Sequence, residues 1–196
     1  MPLMSPNIRE LTLEKDVLAL VTEFLGDYFD GNPHNVGLNQ NVTFPKATIV
    51  SQESALPERG AVLGITCVWG GSSSRQKRWD VVNGVAQEIV YEKTAVNFWV
   101  RAEMAAGPTG NARTLCQNAA QLLSGLLQNS AETRQLSQKG IHRIRPGNPQ
   151  AISDTNYVLR LMSCRFTLRY AVNSQLTDPL TGGANTLITS DSAATT

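Results

Sequence analysis

The sequence is poor in the residues that most often carry catalysis, metal binding or covalent cross-links. It contains two histidines and three cysteines among 196 residues. Neither histidine lies in a metal-binding or catalytic motif, and no two cysteines form a CxxC pair. The odd cysteine count, without a secretion signal, predicts buried free thiols and synthesis in a reducing cytoplasm. We therefore predict no catalytic residue, no metal site and no cofactor, and an enzyme is the least favoured class of protein.

Long apolar runs are also missing, and charged residues are few. No apolar stretch approaches the roughly 18 residues that span a bilayer, so no membrane partner is expected. Charged residues make up 17% of the chain, which is low for a globular domain. Residues 1–60 hold 4 basic and 8 acidic side chains, whereas residues 61–196 hold 13 basic and 8 acidic ones. Such polarity can align copies head to tail, and it equally fits ordinary scatter of surface charge.

A glycine- and serine-rich basic stretch, VWGGSSSRQKRWD at residues 68–80, raises the question of a phosphate-binding loop. A Walker A loop needs GxxxxGK[ST] followed by a helix, but here the two glycines are adjacent and the next periodic segment is a strand. We interpret residues 70–78 as the solvated tip of a β-hairpin. Arg75, Lys77 and Arg78 become candidate contacts to a nucleic-acid backbone if a symmetric assembly repeats them.

Apolar periodicity predicts two helices and several strands. A helical stripe starts after Thr12, a candidate N-cap, and a second helix occupies residues 109–140 with a break near Ser130. Residues 88–103 alternate strictly, which indicates a long antiparallel strand. The last strand, 157–172, changes its apolar phase, which predicts a β-bulge within it. This order predicts an α+β fold, a mostly antiparallel sheet with a long β-hairpin and two amphipathic helices packed on it.

The chain divides by composition near residue 172. Residues 1–172 have the periodicity of a single α+β domain. Residues 173–196 contain no basic and no aromatic residue and are rich in serine, threonine and glycine. Such a segment cannot bury enough apolar surface by itself to offset its ordering entropy. We predict a polar C-terminal tail that is flexible or becomes ordered on a neighbouring molecule.

Basic residues concentrate in the second half of the domain. Residues 107–172 hold eight basic side chains against two acidic ones, and Arg165 and Arg169 lie opposite the apolar face of their strand. A stripe of this kind is a candidate contact to DNA or to an acidic partner surface, such as residues 10–30 of another copy, although a solvated strand face is the ordinary outcome. Trp79, Trp99 and Arg101 belong to the residue types that anchor interfaces, and tryptophan is equally common in cores. These five side chains are the candidate subunit interface.

The order of elements resembles that of the tail-terminator and related neck proteins of tailed bacteriophages. The resemblance covers roughly residues 8–172: an amphipathic helix, the strand PKATIVSQ, a hairpin running into EKTAVNFWVRAE, the helix NARTLCQNAAQLLSGLL, and the strands GIHRIRPG and YVLRLMSCRFTLRYAV. It rests on element order and not on an invariant motif.

The resemblance implies a virion structural protein that is assembled in the host cytoplasm and forms a hexameric ring. Such a ring caps the tail tube, stops its polymerisation and meets the head connector or stopper protein, while DNA passes non-specifically through the lumen. The hairpin cations are then expected to face the lumen or the tube. Two alternatives stay open: another neck ring (a connector or stopper), and a stand-alone nucleic-acid-binding module.

Overall fold

A computed structural model describes residues 6–37, 40–52, 63–82, 85–103, 109–155, 157–172 and 185–187. Within these ranges the chain forms three helices and nine strands. In chain order they are α1 (Pro6–Gly26), β1 (Pro33–Val36), β2 (Gln40–Thr43), β3 (Thr48–Ser51), β4 (Leu63–Val82), β5 (Val85–Glu103), α2 (Thr109–Gln128), α3 (Arg134–Gln138), β6 (Ile141–Pro146), β7 (Gln150–Ile152), β8 (Tyr157–Val172) and β9 (Asn185–Leu187).

The main sheet is built around three long strands. Its order is β3-β4-β5-β8-β6, and β7 and β9 also pair with β8. Only β3 and β4 run parallel, and every other pair in this sheet is antiparallel. Because β5 covers one edge of β8 along its full length, the short strands β7, β6 and β9 follow one another along the other edge. The predicted α+β fold with a mostly antiparallel sheet is confirmed.

The two long helices cover one face of this sheet, which we call the inner face. Helix α1 contacts β3 and β4, and α2 contacts β5, β6 and β8. Because side chains alternate along a strand, the inner face receives every second residue of β5, from Val90 to Ala102, and these residues are buried as the sequence predicted. The opposite, outer face carries the alternate set, in which Tyr91, Lys93 and Trp99 are at least partly exposed.

The start of the first helix differs from the prediction. Helix α1 begins at Pro6, so Thr12 lies inside the helix and is not its N-cap. A proline is well tolerated in the first turn, where its missing N–H has no intrahelical acceptor to bind. The cap-like sequence at Thr12 was therefore a misleading signal, although the apolar stripe that follows it is buried as expected.

The predicted hairpin tip at residues 70–78 is also wrong. Strand β4 runs without interruption from Leu63 to Val82, and β5 resumes at Val85. The glycine–serine run instead contains two register shifts, one between Trp69 and Ser72 and one between Ser72 and Ser74. The seven residues of β4 from Trp69 to Arg75 therefore oppose the five residues of β5 from Val96 to Glu92. The first extra residue changes the face of each later side chain and the second restores it.

The bulge predicted within β8 lies on a neighbouring strand instead. Strand β8 pairs with β5 from Tyr157 to Val172 with no register shift. The shift occurs in β6, between His142 and Arg145. The change of apolar phase in β8 has another cause. Tyr157, Leu159 and Leu161 lie on the outer face, where Leu161 is opposite Trp99. The apolar residues that follow on the inner face are buried, namely Cys164, Phe166, Leu168 and Tyr170.

Three residues of the predicted C-terminal tail have a described position. Asn185–Leu187 form β9, which pairs with Tyr170–Val172 of the same chain. That the tail is flexible or becomes ordered on a neighbouring molecule stays a prediction. The remaining residues of 173–196 lie outside the described ranges.

Candidate nucleic-acid interface

The best-defined polar cluster surrounds Glu92, a buried carboxylate on the inner face of β5. Its side chain is 2% exposed. Arg75 Nε donates a hydrogen bond to Glu92 Oε2 at 2.9 Å, and Arg75 Nη2 forms an ion pair with the same oxygen at 2.9 Å. The hydroxyl of Tyr170 donates at 2.6 Å, and Ser72 donates a further short bond from Oγ. The double bulge in β4 brings Ser72 and Arg75 to the same carboxylate, so the glycine–serine run has a structural role.

The charge of Glu92 is retained despite its burial. Burial alone would raise the pKa of the Glu92 carboxyl group. The hydrogen bonds from Ser72 and Tyr170 and the charge and hydrogen bond of Arg75 outweigh this effect, so the pKa lies below its ordinary value. Glu92 is therefore ionised at neutral pH.

The three cations predicted as a lumen-facing set do not form one cluster. Arg75 is bound to Glu92, and Lys77 Nζ lies 3.1 Å from a carboxylate oxygen of Glu88. Both lie on the inner-face side of the hairpin, whereas Arg78 lies on the outer face with its guanidinium 5.9 Å from the ring centre of Tyr91. Two of the three predicted cations are thus neutralised by acids on β5.

A denser cation cluster occupies the outer face, where two adjoining concavities of about 600 and 510 Å³ share Lys93, Arg143 and Thr167 in their walls. We call this depression the outer-face groove. Its first part also contains Arg145 and Arg165, and its second part contains Arg78 and Arg169. The six cations come from β4, β5, β6 and β8. No aspartate or glutamate is among the described residues that line either part.

The bulge in β6 sets the geometry of the groove. Two residues of β6, Arg143 and Ile144, oppose the single residue Phe166 between the pairs His142–Thr167 and Arg145–Arg165. Arg143 adopts a positive φ of 51°, and it is the one non-glycine residue in the described ranges with a left-handed backbone. Such a conformation is uncommon for a long side chain. As a result Arg143 and Arg145 both line the groove, while Ile144 packs against the core.

Few acids moderate this positive charge. Among the described residues, no carboxylate lies within ion-pair distance of Arg143, Arg145 or Arg165, and the Asp80 carboxylate is 3.7 Å from Arg169 at the far end of the groove. The pKa of His142 is lowered by burial and by the neighbouring Arg169 and Arg143 charges. His142 is therefore neutral at neutral pH and adds no charge of its own to the groove.

The residues predicted as a subunit interface are dispersed over the sheet. Trp79 lies on the distal part of β4 and is 71% exposed. Trp99 and Arg101 lie on the outer face at the opposite end of β5, where the Arg101 guanidinium is 4.5 Å from the ring centre of Tyr157. Arg165 and Arg169 line the groove. The prediction missed Lys93, Arg143 and Arg145, because only strand pairing brings them beside Arg165.

Comparisons with other proteins add no assignment to these features. No protein-family model matches the chain, and no curated protein sequence matches it significantly. In the part of the chain that the structure describes, no group of three or more His, Cys, Asp or Glu side chains is placed to hold a metal ion. None of the described helices combines the length and the apolar character needed to cross a bilayer.

Proposed function

We propose that this protein is a structural subunit of the neck of a tailed bacteriophage, where copies form a ring that terminates the tail tube and joins it to the head connector. The observation that carries the proposal is the hairpin arm, defined as residues 70–82 of β4 with 85–93 of β5. Every residue from Ser72 to Val81 is exposed. An arm of this kind is suited to contact a neighbouring copy or a docking protein.

The arm has an edge that another molecule can cover. Beyond Trp69, none of the other described strands pairs with the edge of β4 that faces away from β5. A long unpaired edge presents free N–H and C=O groups and is a site for pairing with another chain. Trp79 and Val81, at 71% and 67% exposure, are the large hydrophobic side chains most open to solvent among the described residues. Tryptophan is also the residue type most enriched at interface hot spots.

The partners in this proposal are further copies of the chain, the tail tube protein and the head-connector or stopper protein, with six copies in the ring. The virion is the proposed location. The support is the resemblance in element order together with the exposed arm, and a connector or stopper ring would use the same features. A stand-alone nucleic-acid-binding module is the second candidate, and the outer-face groove is the observation that favours it.

Native mass spectrometry of the purified protein tests the ring. We expect a closed assembly of six copies without DNA. A chain that stays monomeric at high concentration would contradict self-assembly as proposed here. A monomer that also binds DNA would favour the second candidate.

Substitution of the two exposed apolar residues is expected to disrupt assembly without unfolding the subunit. In the double variant Trp79→Ser, Val81→Ser we expect the ring to dissociate, since both side chains would be buried only in the assembly. Because both are largely exposed in the isolated chain, the free energy of unfolding should change by about 0.5 kcal/mol or less per site. Size-exclusion chromatography with light scattering and thermal melting measure the two effects. A ring that persists in this variant would exclude the arm as the contact.

A further inference from the structure

We propose that the outer-face groove binds the phosphate backbone of DNA, without regard to base sequence. This inference deepens the neck proposal and rests on it for the source of the polyanion, the DNA that passes through the ring. It differs from the sequence-based expectation, because it assigns the contact to Lys93, Arg143, Arg145 and Arg165 and not to the paired cations Arg75 and Lys77.

The size of the cation field fits several phosphates. Neighbouring strands of a sheet lie roughly 4.8 Å apart, so cations on β5, β8 and β6 span about 10 Å across the strands. One strand of B-DNA carries a phosphate for about every 3.4 Å of helix axis. Along β8, Arg165 and Arg169 are separated by four residues, or about 13 Å. The groove therefore offers cations to about three successive phosphates, with Arg78 and Arg169 extending the contact.

The fold holds like charges together in this groove. Arg145 lies directly opposite Arg165 in the β6–β8 register, and like charges in such cross-strand pairs destabilise a sheet. Arg143, beside them, has the unusual positive φ. Backbone strain and uncompensated charge of this kind are typical of sites where a ligand supplies the missing interactions. An anion between the guanidinium groups would relieve the repulsion.

The lining of the groove offers hydrogen-bond donors that suit phosphate groups. Arginine presents a planar fork of donors that matches phosphate oxygens. Neutral hydroxyl and amide donors, including Ser74, Gln76 and Thr167, line the second part of the groove together with the cations, and side chains of these types are common phosphate ligands. An acidic surface of a second copy is the competing occupant, and the experiment below separates it from DNA.

The test measures binding of a fluorescein-labelled 24-base-pair duplex of arbitrary sequence by fluorescence anisotropy, at several salt concentrations. The groove variant combines Arg143→Asn, Arg145→Gln and Arg165→Gln, because asparagine tolerates the left-handed backbone at position 143. The matched control, Lys46→Gln, Arg113→Gln and Arg134→Gln, removes the same charge from exposed positions outside the groove. Thermal melting verifies that both variants fold. If the triple groove variant does not fold, the single variant Arg165→Gln is measured in its place.

We expect the groove variant to bind the duplex roughly tenfold or more weakly at low salt, with the slope of log K against log salt smaller in magnitude by about two to three. The single Arg165→Gln variant should reduce that slope by about one. The control should stay close to the unmodified protein. Equal losses in groove variant and control, or no binding by the unmodified protein, would overturn the inference.

Native mass spectrometry of the same samples keeps the two proposals apart. A monomer whose DNA binding depends on the groove supports this inference and contradicts the ring. A ring that does not bind DNA supports the neck proposal and contradicts this inference. A groove variant that loses the ring but keeps its DNA affinity would show that the groove is a contact between copies, and would also overturn the inference.

Discussion

Replacement of Phe98 by alanine is expected to lower the free energy of unfolding by about 3 to 5 kcal/mol. Phe98 is completely buried on the inner face, in the middle of β5. Its register partners are Cys67 on β4 and Met162 on β8, both of them buried. Removal of the phenyl ring of Phe98 leaves a cavity. Because β5 is flanked on both sides by long strands, a small movement of one element cannot fill this cavity. Urea denaturation followed by circular dichroism measures the change.

Two companion variants test the reason for this loss. Phe98→Leu keeps most of the buried volume and should cost clearly less than alanine. Trp99→Ala removes a larger side chain from the next position, but Trp99 faces outward and is partly exposed, so its cost should also be smaller. If Trp99→Ala destabilised the protein as much as Phe98→Ala, the assignment of faces along β5 would be incorrect.

This assignment of faces is the part of the fold that the sequence predicted best. Strict alternation over residues 88–103 distinguishes a strand from a helix and also states which residues share a face. Every residue of the predicted set from Val90 to Ala102 is buried in the structure. A long periodic segment can be predicted in this way because the period of two is a property of the local backbone alone.

The chain between β4 and β5 contains a hairpin signal other than the glycine–serine run. The glycines at positions 70 and 71 suggested a turn, whereas they accommodate the bulges that bring Ser72 and Arg75 to Glu92. Strand β4 ends at Val82 and β5 begins at Val85, which leaves the dipeptide Asn83–Gly84 between them. Asn-Gly between two apolar strands is the strongest short-range hairpin signal in a sequence. This dipeptide is a shorter and more specific turn signal than the glycine–serine run.

The outer-face groove could not be predicted from the sequence. Arg145 and Arg165 become neighbours only because β6 pairs with β8 in one particular register, and the bulge at Arg143 shifts that register by one residue. A different register would have turned alternate side chains to the other face. The sequence did show the excess of basic residues, but it could not show that Lys93 from β5 joins the same cluster.

Replacement of Glu92 by alanine is expected to lower the free energy of unfolding by about 2 to 4 kcal/mol. The change removes the acceptor for Ser72, Arg75 and Tyr170 at once. The Tyr170 hydroxyl is buried, so its lost bond is not replaced by water. The Arg75 side chain is 33% exposed and can partly turn to solvent, which places the cost below that of a fully buried pair.

The variant Glu92→Gln separates the charge of this cluster from its shape. Because the folded pKa of Glu92 is depressed, its ionised form stabilises the protein fully above the pKa of an unfolded glutamate, about 4.3, and this contribution is lost as the pH falls through the lower folded pKa. The difference in unfolding free energy between the unmodified protein and Glu92→Gln should therefore be constant from pH 7 to about 5 and narrow below about pH 4.3. Urea denaturation at several pH values measures it. A difference that stayed constant to the lowest accessible pH would mean that Glu92 contributes through its hydrogen-bonding shape and not through its charge.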